Sequence, residues 1–222
     1  KRQEEGGRAI ASHTGSLAVP YAVWEAIIRQ CGAVGVREME TLIDTANALT
    51  HLPPVKGIRV GVTGGSGGQS VNIADTFAEA DLSLPRLTED SYNRLREFYD
   101  IIGGGYLNPI DTGNQNRFQM ARIMDILARD PHIDNVVILA LARMLHMFGR
   151  LDTFVEMTAE LKTKTDKPIL TILTYHSFEE IPVIQEAVAK LQAAGVPAFT
   201  SIERGAMALR NAYEYYRRRN AL

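Results

Sequence analysis

His13 stands within Ala11-Ser12-His13-Thr14-Gly15-Ser16-Leu17-Ala18, a loop of small and hydroxylated residues with a helix start, Val19-Pro20-Tyr21, directly behind it. A neutral imidazole nitrogen is a competent nucleophile near pH 7, so such a histidine can take a phosphoryl group covalently. Small neighbours let a phosphate reach the ring, and the free N–H groups of a helix N-terminus stabilise the anion that forms. A second anion-ready stretch is Thr63-Gly64-Gly65-Ser66-Gly67-Gly68, which follows an apolar strand and opens a helix. In open α/β sheets that turn lies at the carboxyl edge, where phosphate-bearing ligands bind. It carries no Lys-Ser/Thr end, so it is not a P-loop, and Ser70 stands where a dinucleotide fingerprint needs its last glycine. A tight strand-to-helix turn explains the glycines equally well.

The elements that must position these residues divide at Pro53-Pro54, since two prolines end a helix and stiffen the link. Ahead of them, a helix over 20–31 is expected to bury Val23, Trp24, Ile27 and Ile28 and to stop at Gly32. A second, over 36–49, carries Met39, Leu42, Ile43, Ala46 and Leu49 on one stripe. The single cysteine, Cys31, falls in the first of these patterns. From Gly57 onward strands alternate with helices: strand 58–62, helix 69–80, the short piece 82–84, helix 89–99, flexible glycines at 103–105, and helix 116–128. The unbroken apolar run 136–141 reads as a central parallel strand. Helix 152–164, strand 168–173, helix 178–194, strand 196–199 and helix 203–216 complete the pattern. Such alternation predicts an α/β fold, a doubly wound parallel sheet of flavodoxin-like order. The expected division is 1–52 as the end of one flavodoxin-like domain, 53–57 as linker and 58–222 as a whole second one.

Asn108 and Asp111 close a strand-like segment, Asn108-Pro109-Ile110-Asp111. Asx side chains there shape turns, which is the expected role of Asn108, whereas Asp111 projects toward the same edge as the glycines. Among the other histidines, His51 and His132 are expected in solvent, His146 in a half-buried loop and His176 at a strand end, on the surface. None has metal-ligand spacing.

The 222 residues are 45% hydrophobic with net charge -2, so a packed core is expected and disorder is not. Basic residues are scattered except for Arg217-Arg218-Arg219, which speaks against a nucleic-acid face. With one cysteine no internal disulfide can form, and no apolar run approaches a membrane span. A soluble cytoplasmic protein is the expectation. Lys1 rather than Met opens the sequence, and the opening reads as a sheet edge, so a fragment is also expected.

Gly7-Arg8-Ala9-Ile10-Ala11-Ser12-His13-Thr14-Gly15-Ser16-Leu17-Ala18 closely resembles the Ser-His-Thr-Gly-Ala/Ser-Leu-Ala segment of the NDP-forming acyl-CoA synthetases, relatives of succinyl-CoA synthetase. Segments 31–36, 57–68, 108–111 and 130–134 are also similar to that family. The resemblance implies acid + CoA + ATP giving acyl-CoA, ADP and phosphate through an acyl phosphate and a phosphohistidine. His13 takes the phosphohistidine position, Gly64, Gly65, Ser66, Gly67 and Gly68 the phosphate-binding one, with Ser12, Thr14, Gly15, Asn108 and Asp111 in support. ATP, Mg²⁺ and CoA would serve the complete enzyme, with no cofactor or metal bound by this chain alone. The partners implied are CoA-binding and ATP-grasp domains or subunits and a small carboxylic acid. A homo-oligomer is compatible, and nucleic acid and membrane are not expected. Alone, the chain should not turn over. The alternative from another class is a non-catalytic regulatory module sensing acyl-CoA or nucleotide, which retention of His13 disfavours. An FMN binder or a receiver domain fits less well, because the loop has glycines where those need hydroxyls or paired acids.

Overall fold

The computed structural model describes residues 4–14, 19–65, 67–102, 105–147 and 149–220. Three helices come first: α1 (Glu4–Thr14), α2 (Tyr21–Gln30) and α3 (Met39–His51). Then follow β1 (Val60–Thr63), α4 (Gly67–Glu79), α5 (Glu89–Arg96), α6 (Met120–Arg129), β2 (Asn135–Leu141) and α7 (Ala142–Met147). The chain continues through α8 (Leu151–Lys164), β3 (Ile169–Thr174), α9 (Ile181–Ala193), β4 (Ala198–Phe199) and α10 (Ile202–Arg219).

The four strands pair in parallel in the order β1-β2-β3-β4, with Val62 opposite Val137, Ile138 opposite Thr171 and Ile172 opposite Phe199. Alternate strand residues feed two cores, as a sheet covered on both faces requires. Val136, Ile138 and Ala140 pack beneath α5, α6, α8 and α9, while Val137 and Leu139 pack beneath α3, α4 and α10. This is the doubly wound, flavodoxin-like arrangement that the alternation predicts. The strand that should flank β1 on its outer side is reduced to two bridges, Arg59 with Ser83 and Thr63 with Ile110. Between them the Asn108 carboxamide takes the place of a peptide group. Its Nδ2 donates to the Val60 carbonyl at 2.7 Å, and its Oδ1 accepts from the Val62 N–H at 2.9 Å. Nδ2 also donates to the Pro85 carbonyl at 3.0 Å. An edge that would leave buried backbone groups unpaired is thereby satisfied by one side chain.

The N-terminal helices depart most from expectation. Residues 4–14 are helix, not a sheet edge running into a loop, and His13 lies in the last turn of α1. Glu5 suits the positive end of the helix, and the Ser12 hydroxyl donates back to the Ala9 carbonyl at 3.2 Å. The residues expected to be buried on α2 are instead outward: Val23, Ile27 and Trp24 are exposed, Trp24 by 53%. Cys31 is exposed at the end of α2, just before Gly32, whose positive φ closes the helix. On α3 the apolar stripe also faces outward, with Met39, Leu42 and Ile43 exposed. Its buried face holds Asp44, Thr45 and Ala48. Polar bonds hold it there. Asp44 accepts from Arg204 Nε and Nη2 at 2.7 and 2.8 Å, and the Thr45 hydroxyl accepts from Asn211 Nδ2 at 2.9 Å. Asn47 reaches the Ala198 carbonyl. Helical periodicity locates an apolar stripe but not what lies opposite it, and here α10 presents polar groups to α3.

Smaller departures have local causes. The helix expected over 116–128 begins as a 3-10 turn, Asn114–Gln119, because the buried Asn116 side chain is engaged with the backbone of Asp100, accepting from its N–H at 2.9 Å and donating to its carbonyl at 2.8 Å. His146 lies exposed on the short helix α7 rather than in a half-buried loop. His51 ends α3, its Nδ1 2.9 Å from the Asn47 carbonyl. The amino edge of the sheet is tied by Asp134, which accepts from the Arg59 backbone N–H and from its guanidinium. Burial pushes the Asp134 carboxyl up, but the Arg59 bonds outweigh it and hold the group below the ordinary carboxylate range. Asp130 follows the same pattern, with bonds from Ser91, Thr88 and His132 overcoming its burial.

Candidate functional site at the carboxyl edge of the sheet

The end of β1, the glycine turn and the Asn108–Asp111 segment meet at one corner. The Gly64 N–H donates to the Ile110 carbonyl at 3.2 Å, and the Thr112 N–H reaches the Gly65 carbonyl at 3.4 Å. Gly64 has φ +102°, and a Cβ there would collide with the Leu139 carbonyl of β2, so the chain can pass this point only as glycine. Gly65 has φ +81°. Those two glycines therefore have structural reasons. Gly68 has none of this kind: a Cβ added to it meets nothing within 4 Å, in the first turn of α4. Ser66 and Gly15 lie outside the described residues, as do the side chains of His13 and Thr14.

Asp111 is 2% exposed and lies beside the start of α4, its Oδ2 3.2 Å from where a Gly67 Cβ would project. Its Oδ1 accepts from the Gly113 N–H at 2.6 Å. The turn is braced from behind by Tyr99, whose hydroxyl donates to the Asp111 carbonyl at 2.6 Å and the Gly105 carbonyl at 2.9 Å. Burial, reinforced by the Asp111 charge, pushes the Tyr99 hydroxyl above its ordinary range, so it stays protonated as a donor. Thus the structure brings Asp111 and the glycines together and gives Asn108 a structural role, as a stand-in for a strand peptide beside β1 rather than within a turn.

Beside this corner opens a cavity of about 840 Å³. Gly65, Gln69 and Thr112 form its wall against the start of α4, and Leu139, Ala140 and Leu141 the end of β2. Met120, Met144, Leu145, Phe154 and Met157 supply much of the remaining lining. At its surface side, two guanidiniums lie over the Phe118 ring, with Arg117 Cζ 5.0 Å and Arg150 Cζ 4.8 Å from the ring centroid. Such stacking fixes the direction of flexible cations. His176 is exposed, as expected, and also lines this cavity. The two arginines and Phe118 escaped the sequence reading. The available signal was Arg117-Phe118, an arginine beside an aromatic shortly after a segment already placed at the carboxyl edge. Among the described residues no group of three His, Cys, Asp or Glu side chains could hold a metal ion, and no helix is long and apolar enough to cross a membrane.

Residues 1–49 match the family model described as "Succinyl-CoA ligase like flavodoxin domain". Over most of its length the chain is similar to ADP-forming acetate–CoA ligases. It is 28% identical over 209 residues to the alpha subunit of acetate–CoA ligase (ADP-forming) II of Pyrococcus furiosus, covering 89% of this chain and 42% of the relative. With the alpha subunit of the corresponding ligase I of that organism it shares 29% identity, covering 96% of this chain and 45% of the relative. Among solved structures it superposes on a dinucleotide-forming acetyl-coenzyme A synthetase 1 of Ca. Korarchaeum cryptofilum, in complex with phosphate and ADP. The TM-score is 0.81 at 26% identity, covering 99% of this chain and 46% of that one. The chain spans less than half the length of each of these relatives.

Proposed function

We propose that this chain is part of an acid–CoA ligase (ADP-forming), with His13 as its phosphoryl carrier. The observation that carries the proposal is the Ser12-His13-Thr14-Gly15 segment inside the matched succinyl-CoA ligase like domain, on a chain similar over most of its length to ADP-forming acetate–CoA ligases. A neutral His13 ring nitrogen attacks the terminal phosphorus of ATP, and ADP leaves. A carboxylate oxygen of the acid then takes the phosphoryl group, restoring His13 and forming an acyl phosphate. The CoA thiol attacks the acyl carbonyl, phosphate leaves, and acyl-CoA is formed. The role of this chain is positioning and charge stabilisation, which dominate phosphoryl transfer. Gly64, Gly65, Ser66, Gly67 and Gly68 lead into α4, and a helix N-terminus suits a transferring phosphate.

On this reading residues 1–52 end one flavodoxin-like domain, 53–57 link it, and 58–222 form a second. The polar α3–α10 contact then joins the two. CoA-binding and ATP-grasp domains or subunits supply the remaining functions in a cytoplasmic enzyme. Mg²⁺ would accompany the nucleotide. The test is ligase activity of the complete enzyme with His13→Asn. Turnover should fall by on the order of 10⁴-fold or more, as when a covalent nucleophile is removed, with an unchanged melting temperature. Retained turnover overturns the proposal.

A further inference from the structure

A second recess, of about 210 Å³, lies between α2, the segment that leads into α3, and the last turn of α10. It is remote from the glycine turn. α10 starts directly after β4, at the carboxyl edge, and Arg218 lies about 24 Å along that helix from Ile202. Tyr21, Trp24 and Glu25 line the recess together with three arginines, Arg29, Arg37 and Arg218. Among the described residues neither Arg29 nor Arg37 has an ion-pair partner. Arg218 is held in place by its Nη1, which donates to the Ala33 carbonyl at 2.6 Å, and by its Nε, 3.4 Å from Glu214. Glu214 is itself shared with Arg210 and Arg217, and the Arg218 Nη2 donors are left for another partner.

Helix dipoles explain part of this charge. Arg29 and Arg218 stand in the last turns of α2 and α10, where a cation offsets the negative helix end. Arg37 has no such reason, because it stands just ahead of Glu38, the N-cap of α3, at the positive end of that helix. Like charges gathered in one recess repel one another, and a single lining acid, Glu25, leaves them largely uncompensated.

We propose that this recess is a phosphate-binding site, taking the phosphate dianion as the free ion or as the terminal group of a nucleotide. Guanidinium forks match phosphate oxygens two at a time, and a dianion offsets the excess charge of three arginines over one acid where a monocarboxylate leaves half of it. The volume admits a phosphate group with its remaining waters. It falls below the roughly 300 Å³ at which pockets begin to enclose a drug-sized ligand, so the base and sugar of a nucleotide lie outside. Trp24, 53% exposed, offers its face to such a base. The site requires neither His13 nor the ligase chemistry.

Trp24 is the only tryptophan in the sequence, so its fluorescence reports on this recess and not on the glycine turn. The experiment titrates the 222-residue chain with inorganic phosphate, ADP and acetate at constant ionic strength, following Trp24 emission with calorimetry alongside. Phosphate should change the emission saturably, and acetate should need at least about 10-fold higher concentration. Arg29→Gln and Arg37→Gln, at exposed positions where folding is little at risk, should each raise the phosphate midpoint about 3-fold or more, and together about 10-fold. A lower midpoint for ADP than for phosphate identifies a nucleotide as the source; an equal or higher one identifies the free ion. Acetate as effective as phosphate, or a Trp24 response unchanged in the double variant, overturns the proposal. So does a silent Trp24 with the same calorimetric affinity in wild type and double variant. Loss of the Trp24 response in the double variant supports it even where calorimetry still detects phosphate, since that remaining binding falls to the glycine turn and bears on the ligase reading alone.

Discussion

Replacing Gly64 with alanine should damage the fold, whereas replacing Gly68 should not, although both belong to one glycine run. At Gly64 two costs add. The backbone sits at φ +102°, where an L-residue loses about 1–2 kcal/mol. The new methyl would also press on the Leu139 carbonyl in the neighbouring strand, and accommodating it costs a further 1–3 kcal/mol or so. The sum is roughly 2–5 kcal/mol, which for a chain of this size lowers the melting temperature by roughly 4–20 °C. At Gly68 a methyl meets open space within the first turn of α4, and alanine is the better helix former. Gly68→Ala should be neutral or stabilising by about 0.4–1 kcal/mol. Differential scanning calorimetry of the two variants reads both effects. If the complete ligase is then assayed, the proposed anion role of the run predicts that Gly68→Ala slows phosphoryl transfer without loss of stability. A Gly64→Ala protein melting within about a degree of wild type would refute the steric reasoning. A Gly68→Ala enzyme with full activity would refute the anion role of that residue and leave the run a structural turn. Gly65→Val discriminates less well, since Gly65 itself has φ +81° and the branched residue would be strained in any case.

Two other perturbations test the framework. Asp130 and Asp134 are held below the ordinary carboxylate range, so the unfolded chain takes up their protons first and stability must fall as pH drops through that range. Chemical denaturation across acidic pH should show this decline, with Asp134→Asn flattening it; a flat wild-type profile contradicts the assignment. Asp44→Ala removes both Arg204 bonds beneath α3. Because Arg204 retains access to water, the cost should be about 1–2 kcal/mol, with faster hydrogen exchange over 39–51. Unchanged exchange there would mean that the Arg204 clasp does not hold α3.

Most of the α/β pattern could be read from the sequence because β2 carries the unbroken apolar run 136–141, β3 is apolar apart from Thr171 and Thr174, and their helices carry their own punctuation. Thr88 caps α5, Ser201 caps α10, and Gly195 follows α9 at positive φ. The glycine turn and its neighbour Asp111 were legible for the same reason: strand ends in a parallel sheet converge on one edge. The N-terminal helices were legible in existence but not in orientation. A stripe such as Met39, Leu42 and Ile43 states that something apolar belongs there, and only the α10 partners Arg204 and Asn211 show that the opposite face is the one engaged. The cavity was illegible, since its lining comes from five separated stretches whose convergence depends on sheet order. Asn108 could be assigned to a turn, but its substitution for a strand peptide required the register of β1 against Ser83 and Ile110.

The most direct measurement is transfer of label from ATP carrying radioactive phosphorus in its γ position to the complete enzyme. The phosphohistidine account predicts label that is stable to base and lost in acid, located on the peptide bearing His13 and absent from a folded His13→Asn protein. The label should be discharged by the acid substrate together with CoA. Label that persists in His13→Asn, or CoA ligation proceeding with no label on His13, would contradict it.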